Sequence, residues 1–272
     1  MKISLRATAL GLALLGLGSA HADPARVAIT RPYKATAPVP GAAALVRTSA
    51  GSMHLDSEHY TSVRDGALAM LKAYPPTNHY YVALGRSPVS LYSFLRHLDP
   101  DMTTTFPASD LRLGIHPSHE ALYFQHFEHY LPPAVLRGER GDIVLFDRSH
   151  DRSGSSLALL KPLLEKYIAQ KGFKTKVVAL GFASQGPLMA GVEHMPTATF
   201  PKLFLYYNGA DHDEYVATYA GKHTIGTHAV GQLTPNPENA VFDKAMGERM
   251  ASDPTLDAEL AGNPQLKAAL AK

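Results

Sequence analysis

The chain has 272 residues, with 26 Lys and Arg against 24 Asp and Glu, and no cysteine. The lack of cysteine excludes disulfides, thiolate metal sites and a cysteine nucleophile, so a stable fold has to come from a packed core. Two of the 26 basic residues, Lys2 and Arg6, and none of the 24 acidic ones lie in residues 1–22, which leaves 24 against 24 in the remainder; a neutral balance does not point to nucleic acid as a partner.

Residues 1–22 carry a basic start, an apolar run over 7–17 and the closing Ala20-His21-Ala22. This is the pattern of a Sec signal peptide cut before Asp23, and it predicts an exported protein, periplasmic or secreted. The apolar run is shorter than the roughly 20 residues that span a bilayer. No later stretch is longer, so the sequence predicts no membrane anchor in the mature chain. Residues 23–55, rich in Pro, Ala and Thr without a clear period, read as an extended lead-in.

From Asp56 the pattern becomes helical. Asp56 or Ser57 caps a helix whose Tyr60, Val63, Ala67, Met70, Leu71 and Tyr74 share a face, and Pro75-Pro76 ends it. Residues 80–84 predict a strand, 85–88 (Gly-Arg-Ser-Pro) a turn, and Val89, Leu91, Tyr92, Leu95 and Leu98 a following helix. Ser87 in that turn is a candidate nucleophile, although Val89 stands where a G-x-S-x-G elbow needs its second glycine. A further strand is predicted over 111–115. The helix after it places His119, His126 and His129 on neighbouring turns, an arrangement open to metal binding or to packing with Tyr123, Phe127 and Tyr130.

The stretch with the most chemistry begins at Asp142. Ile143 to Phe146 form a short apolar run that suits a strand buried on both faces of a parallel sheet. Asp147, Arg148, Ser149, His150, Asp151, Arg152, Ser153, Gly154, Ser155 and Ser156 follow. Leu157, Leu160, Leu164 and Tyr167 then recur at helical spacing. A polar loop between a strand and a helix lies at the carboxyl edge of an open α/β sheet, beside the unpaired N–H groups of a helix N-terminus, which favours an anion there. Asp147 and Asp151 add carboxylates for sugar hydroxyls, a proton or a metal ion; the plainer reading is a surface turn whose Asp and Ser residues cap the helix.

Residues 175–182 and 202–207 read as two more strands. Gly181 to Gly186 place Ser184 in a second imperfect hydrolase-like turn. After the last strand come Asp211 and His212, in an acidic loop that either completes a site at the same edge or starts a helix. The chain closes with two short helices, and the segment 251–272 reads as a peripheral helical tail.

The apolar run, acidic residue, short loop, second Asp and Ser/Gly segment together resemble the phosphoribosyl-diphosphate loop of type I phosphoribosyltransferases. The resemblance implies that Asp147 contacts the ribose hydroxyls, that Asp151 acts as a base or with Asp147 holds Mg²⁺, and that Ser153, Gly154, Ser155 and Ser156 wrap the 5′-phosphate. Gly85, Arg86 and Ser87 match the family's diphosphate-contacting loop after the first strand. Arg148, Arg152, Asp211 and His212 are further candidates. Two departures stand out: Arg148 occupies the second position of the family's acidic pair, and the phosphate segment is one residue longer.

The expected fold is α/β, a single domain over 56–250 with a mostly parallel, doubly wound, phosphoribosyltransferase-like sheet. The expected function is action on, or binding of, a phosphorylated sugar. A non-catalytic phosphate- or anion-binding module is the first alternative, and a serine hydrolase working through Ser87 or Ser184 the second.

Overall fold

A computed structural model describes residues 55–85, 87–106, 120–149, 155–183, 188–197, 203, 237–264 and 266–267. The expected signal peptide and nearly all of the lead-in lie outside these residues, as do the strands expected at 111–115 and, apart from Leu203, at 202–207.

Helix α1 spans Ser57–Ala73, and Asp56 caps it by accepting a hydrogen bond from the His59 N–H at 2.7 Å. Strand β1 is His79–Leu84, α2 is Val89–Leu98 and β2 is Thr103–Phe106. Two helices follow, α3 at Glu120–Tyr130 and the single turn α4 at Pro133–Leu136, before β3 at Asp142–Arg148 and α5 at Ser155–Gln170. Then come β4 at Val177–Ala183, β5 at Glu193–Pro196, α6 at Pro237–Ala251 and α7 at Pro254–Gly262.

The five strands form one sheet in the order β2-β1-β3-β4-β5, and every described pair is parallel. This is an α/β fold in which the strand order reverses between β1 and β3. Side chains alternate across the central strands, and both sets are buried, as expected of a parallel sheet covered on two sides. Tyr81, Ala83, Val144, Phe146, Leu180 and Phe182 join a core with residues of α1, α2, α6 and α7. The alternate set, including Tyr80, Val82, Ile143, Leu145, Val177 and Ala179, is buried on the other face. There α5 packs on β3 and β4, and Phe106 of β2 meets Phe127 and Tyr130 of α3.

Two features depart from the sequence reading. The edge strands β2 and β5 were not expected. The segment from 251 on, expected to be peripheral, contributes Leu256 and Leu266 to the core, while Asp253 accepts hydrogen bonds from Tyr60 at 2.9 Å and Arg64 at 3.0 Å. Burial of those two leucines and the contact of Asp253 with α1 hold this segment against the body of the fold.

Among the described residues no helix is long and apolar enough to cross a membrane.

Candidate functional site

β1 and β3 are neighbours and parallel, with Ala83 opposite Phe146, so both strands run out at the same edge of the sheet. The turn containing Gly85 and Ser87 and the segment that leads from Asp147 into α5 therefore leave from adjacent strand ends, at the point where the strand order reverses. In doubly wound sheets ligands bind at this place. Gly85 turns the chain with φ +62°, and its N–H donates to the Phe106 carbonyl at 2.9 Å, which fixes the start of the β1 loop. Ser155 and Ser156 open α5, whose first N–H groups face no earlier turn of the helix.

Asp147 is half-buried near the end of β3, and its Oδ1 accepts the Arg148 N–H at 2.7 Å. Although solvent reaches part of it, desolvation by the surrounding protein dominates and holds its carboxyl well above the usual carboxylate range; the Arg148 N–H and the Arg148 charge oppose this only in part. A carboxyl of this kind favours the neutral form, which donates as well as accepts hydrogen bonds. Arg148, the next residue, pairs in register with the core residue Phe182 and lies on the opposite face from Asp147.

Sequence reasoning passed over two residues here. The Ser149 N–H donates to the Phe182 carbonyl at 2.8 Å, so the parallel ladder continues one residue past β3. Its side chain is buried, and among the described residues its hydroxyl has no hydrogen-bond partner. Gly181 stands opposite Asp147 in register, and a Cβ there would lie 2.5 Å from Ser149 Oγ and 2.3 Å from Leu188 Cδ1. The strand alternation that separates Asp147 from Arg148 was the available signal for Ser149.

Arg86, Asp151, Arg152, Ser153, Gly154, Ser184, Asp211, His212 and His119 lie outside the described residues. His126 and His129, weighed as metal ligands, pack in aromatic contacts: His126 lies 6.3 Å from Tyr123 and 5.8 Å from Tyr130, and His129 meets Tyr130 edge-on at 4.7 Å. The buried His59 Nε2 and Ser90 Oγ are 3.3 Å apart, with the Phe242 ring 5.9 Å from the imidazole, which places this pair inside the core. Among the described residues no three His, Asp or Glu side chains gather to hold a metal, and Asp151, named with Asp147 for Mg²⁺, lies outside them.

No protein-family model matches the chain, and no curated protein or solved structure matches it.

Proposed function

We propose that the chain is an exported, phosphoribosyltransferase-like protein that binds a phosphorylated sugar at the carboxyl edge of β1 and β3 and acts at the sugar's anomeric carbon. The observation that supports this reading is the adjacency of the two parallel strands β1 and β3, which end side by side at the reversal of strand order. In this reading Ser153, Gly154, Ser155, Ser156 and the α5 N-terminus hold the phosphate, Arg86 supplies a cation to it, Asp147 faces the sugar, and Asp151 exchanges a proton.

The arginine at position 148, where the resembling loops carry an acid, favours a second reading. In that reading the protein holds phosphomonoesters without turning them over, as an exported anion-binding module. Calorimetric titration with phosphoribosyl diphosphate and with ribose 5-phosphate, in a buffer containing Mg²⁺, tests both. Heat with either ligand supports the site, and release of diphosphate on adding an acceptor base separates the enzyme from the binder. Silence at millimolar ligand would overturn the two readings together. Arg86→Ala should weaken phosphate-ligand binding by about 1.5–3 kcal/mol, the size of a hydrogen bond to a charged group.

A further inference from the structure

Helix α6 packs on α2, and three side chains of α2 converge on its Asp243. Ser93 Oγ donates to Asp243 Oδ1 at 2.7 Å and Arg96 Nη2 donates to Oδ2, while His97 Nε2 lies 2.8 Å from the Asp243 carbonyl oxygen and 3.4 Å from Oδ1. Ser93, Arg96 and His97 share one face of α2 because they follow the spacing of a helical turn. The imidazole is seated against Gly247, where a Cβ would lie 2.7 Å from His97 Cε1 and 3.1 Å from Nδ1. A glycine inside a helix is unfavourable, and at position 247 it lets the ring come close enough to reach the carbonyl one turn back. Behind this clasp Phe242, Met246 and Met250 of α6 are buried in the core, with the Phe242 ring 5.9 Å from that of His59 of α1.

Of the three groups from α2 only the imidazole changes charge near neutral pH. Arg96 stays charged and Ser93 uncharged, so both hold Asp243 wherever its carboxyl is ionised. A neutral imidazole donates one hydrogen bond, to the Asp243 carbonyl; the imidazolium keeps that bond and adds a positive charge beside the carboxylate. We propose that this clasp is a pH-sensitive latch: α6 is held most firmly when His97 is protonated, and once His97 is neutral α6 lifts more often, ahead of the rest of the fold. The inference is independent of the phosphorylated-sugar reading. The hydrogen bond and charge of Asp243 raise the His97 pKa, and burial and the Arg96 charge oppose this only in part. The other elements packed on α2 direct their titratable groups elsewhere. His59 of α1 meets Ser90 at 3.3 Å, Asp99 at the 3₁₀ turn Pro100–Met102 accepts the Asp101 N–H at 2.8 Å, and Lys244 and Glu248 of α6 pair with each other at 3.5 Å. Because the folded pKa is the higher one, the added grip is full below about pH 6.5 and is lost as pH rises through the folded value.

Native-state hydrogen exchange of the full chain tests this, followed by mass spectrometry at low urea concentrations, at about pH 5.5 and about pH 8.5, and corrected for intrinsic exchange rates. The amides of Pro237–Ala251 should lose about two- to fivefold in protection at the higher pH, the worth of a partly exposed charge pair. They should also exchange with a shallower urea dependence than those of Ile143–Phe146 in β3, which marks a local opening. His97→Gln, which keeps a side-chain donor but carries no charge, should remove the pH difference. Asp243→Asn should lower the pH at which the His97 Cε1 proton titrates by NMR, a readout that a merely structural Asp243 would not move. The wild-type comparison stands by itself should either variant fold poorly. Equal protection of α6 at both pH values, or a pH difference that persists in His97→Gln, would overturn the latch. The same urea dependence for α6 and β3 at the higher pH would show that His97 adds only to global stability, and would overturn it as well.

Discussion

Gly181→Ala tests the packing at the end of β4 on which the site is built. The added Cβ would stand 2.3 Å from Leu188 Cδ1, 2.5 Å from Ser149 Oγ and 3.2 Å from Val192 Cγ1. Ordinary carbon contacts are about 3.5–4.0 Å, so two neighbours must each retreat by about an ångström. Leu188 meets the Cβ with the end of its side chain and can turn away, but Ser149 is short, and its backbone N–H is bound to Phe182 at 2.8 Å. Overpacking of this kind costs about 1–3 kcal/mol. Replacing a strand glycine by alanine returns about 0.5–1 kcal/mol through the unfolded chain. The expected net loss is therefore about 0–2.5 kcal/mol, read as a lower midpoint in urea with an unchanged slope. A double-mutant cycle with Ser149→Gly isolates the contact: removing the hydroxymethyl group should recover at least about 0.5 kcal/mol of the loss. Additive behaviour in the cycle would show that Ser149 does not lie over β4 and would undercut the site geometry.

Gly141→Ala should be far more damaging, losing more than about 3 kcal/mol or failing to fold, because φ is +90° there and the Cβ would meet the Asn78 carbonyl oxygen at 2.2 Å, which is backbone and cannot turn aside; a thermal melt decides it. Asp147→Asn should change the pH profile: the folded carboxyl holds its proton more tightly than the unfolded one, so wild-type stability falls as pH rises from about 4 through the folded pKa, and the variant should lose that slope in urea titrations across the range. Asp243→Ala should cost about 1.5–3 kcal/mol, since Asp243 of α6 accepts hydrogen bonds from Ser93 at 2.7 Å and from Arg96 of α2 and lies 3.4 Å from His97. His97 and Asp243 also set two pH limbs. The hydrogen bond to Asp243 raises the His97 pKa, so that share is full below about pH 6.5 and fades as pH rises through the folded value. Burial raises the Asp243 pKa, but the His97 hydrogen bond and the Arg96 charge outweigh it, so that share is present above about pH 4 and is lost as pH falls. The stability difference between the wild type and Asp243→Ala should therefore be flat between these limits and shrink on both sides, and loss of its alkaline limb in His97→Gln checks the first share.

The interior of the fold was legible because burial on both faces writes itself as continuous apolar runs, as in residues 143–146 of β3 and 80–84 of β1. The edge strands β2 and β5 were not, for the opposite reason. Thr103–Phe106 carries three threonines, and Glu193–Pro196 is exposed along most of its length, so neither offers an apolar run; Pro196 suits a strand at the margin of the sheet and reads in sequence as a breaker. The role of α6 was legible in principle, since Phe242, Met246 and Met250 recur at four-residue spacing, and all three are buried. At the site, residue types in order along the loop drew attention to Asp147. The same habit hid Ser149, because its meaning comes from the two-residue period of the strand and from a glycine on the next strand, and neither lies in the loop pattern.

The two ends of β3 carry polar groups in different circumstances. At the amino end Asp142 donates its N–H to the Asn78 carbonyl at 2.8 Å and accepts the Lys176 N–H on Oδ1 at 3.0 Å, while the neighbouring Thr175 hydroxyl donates to the Leu136 carbonyl at 2.8 Å. Polar groups there join β1, β3 and the approach to β4, and their work is structural. At the carboxyl end the strand finishes on the Asp147 carboxyl, whose pKa desolvation raises, and on the buried Ser149 hydroxyl, which has no partner among the described residues. Neither arrangement lowers the free energy of the protein by itself.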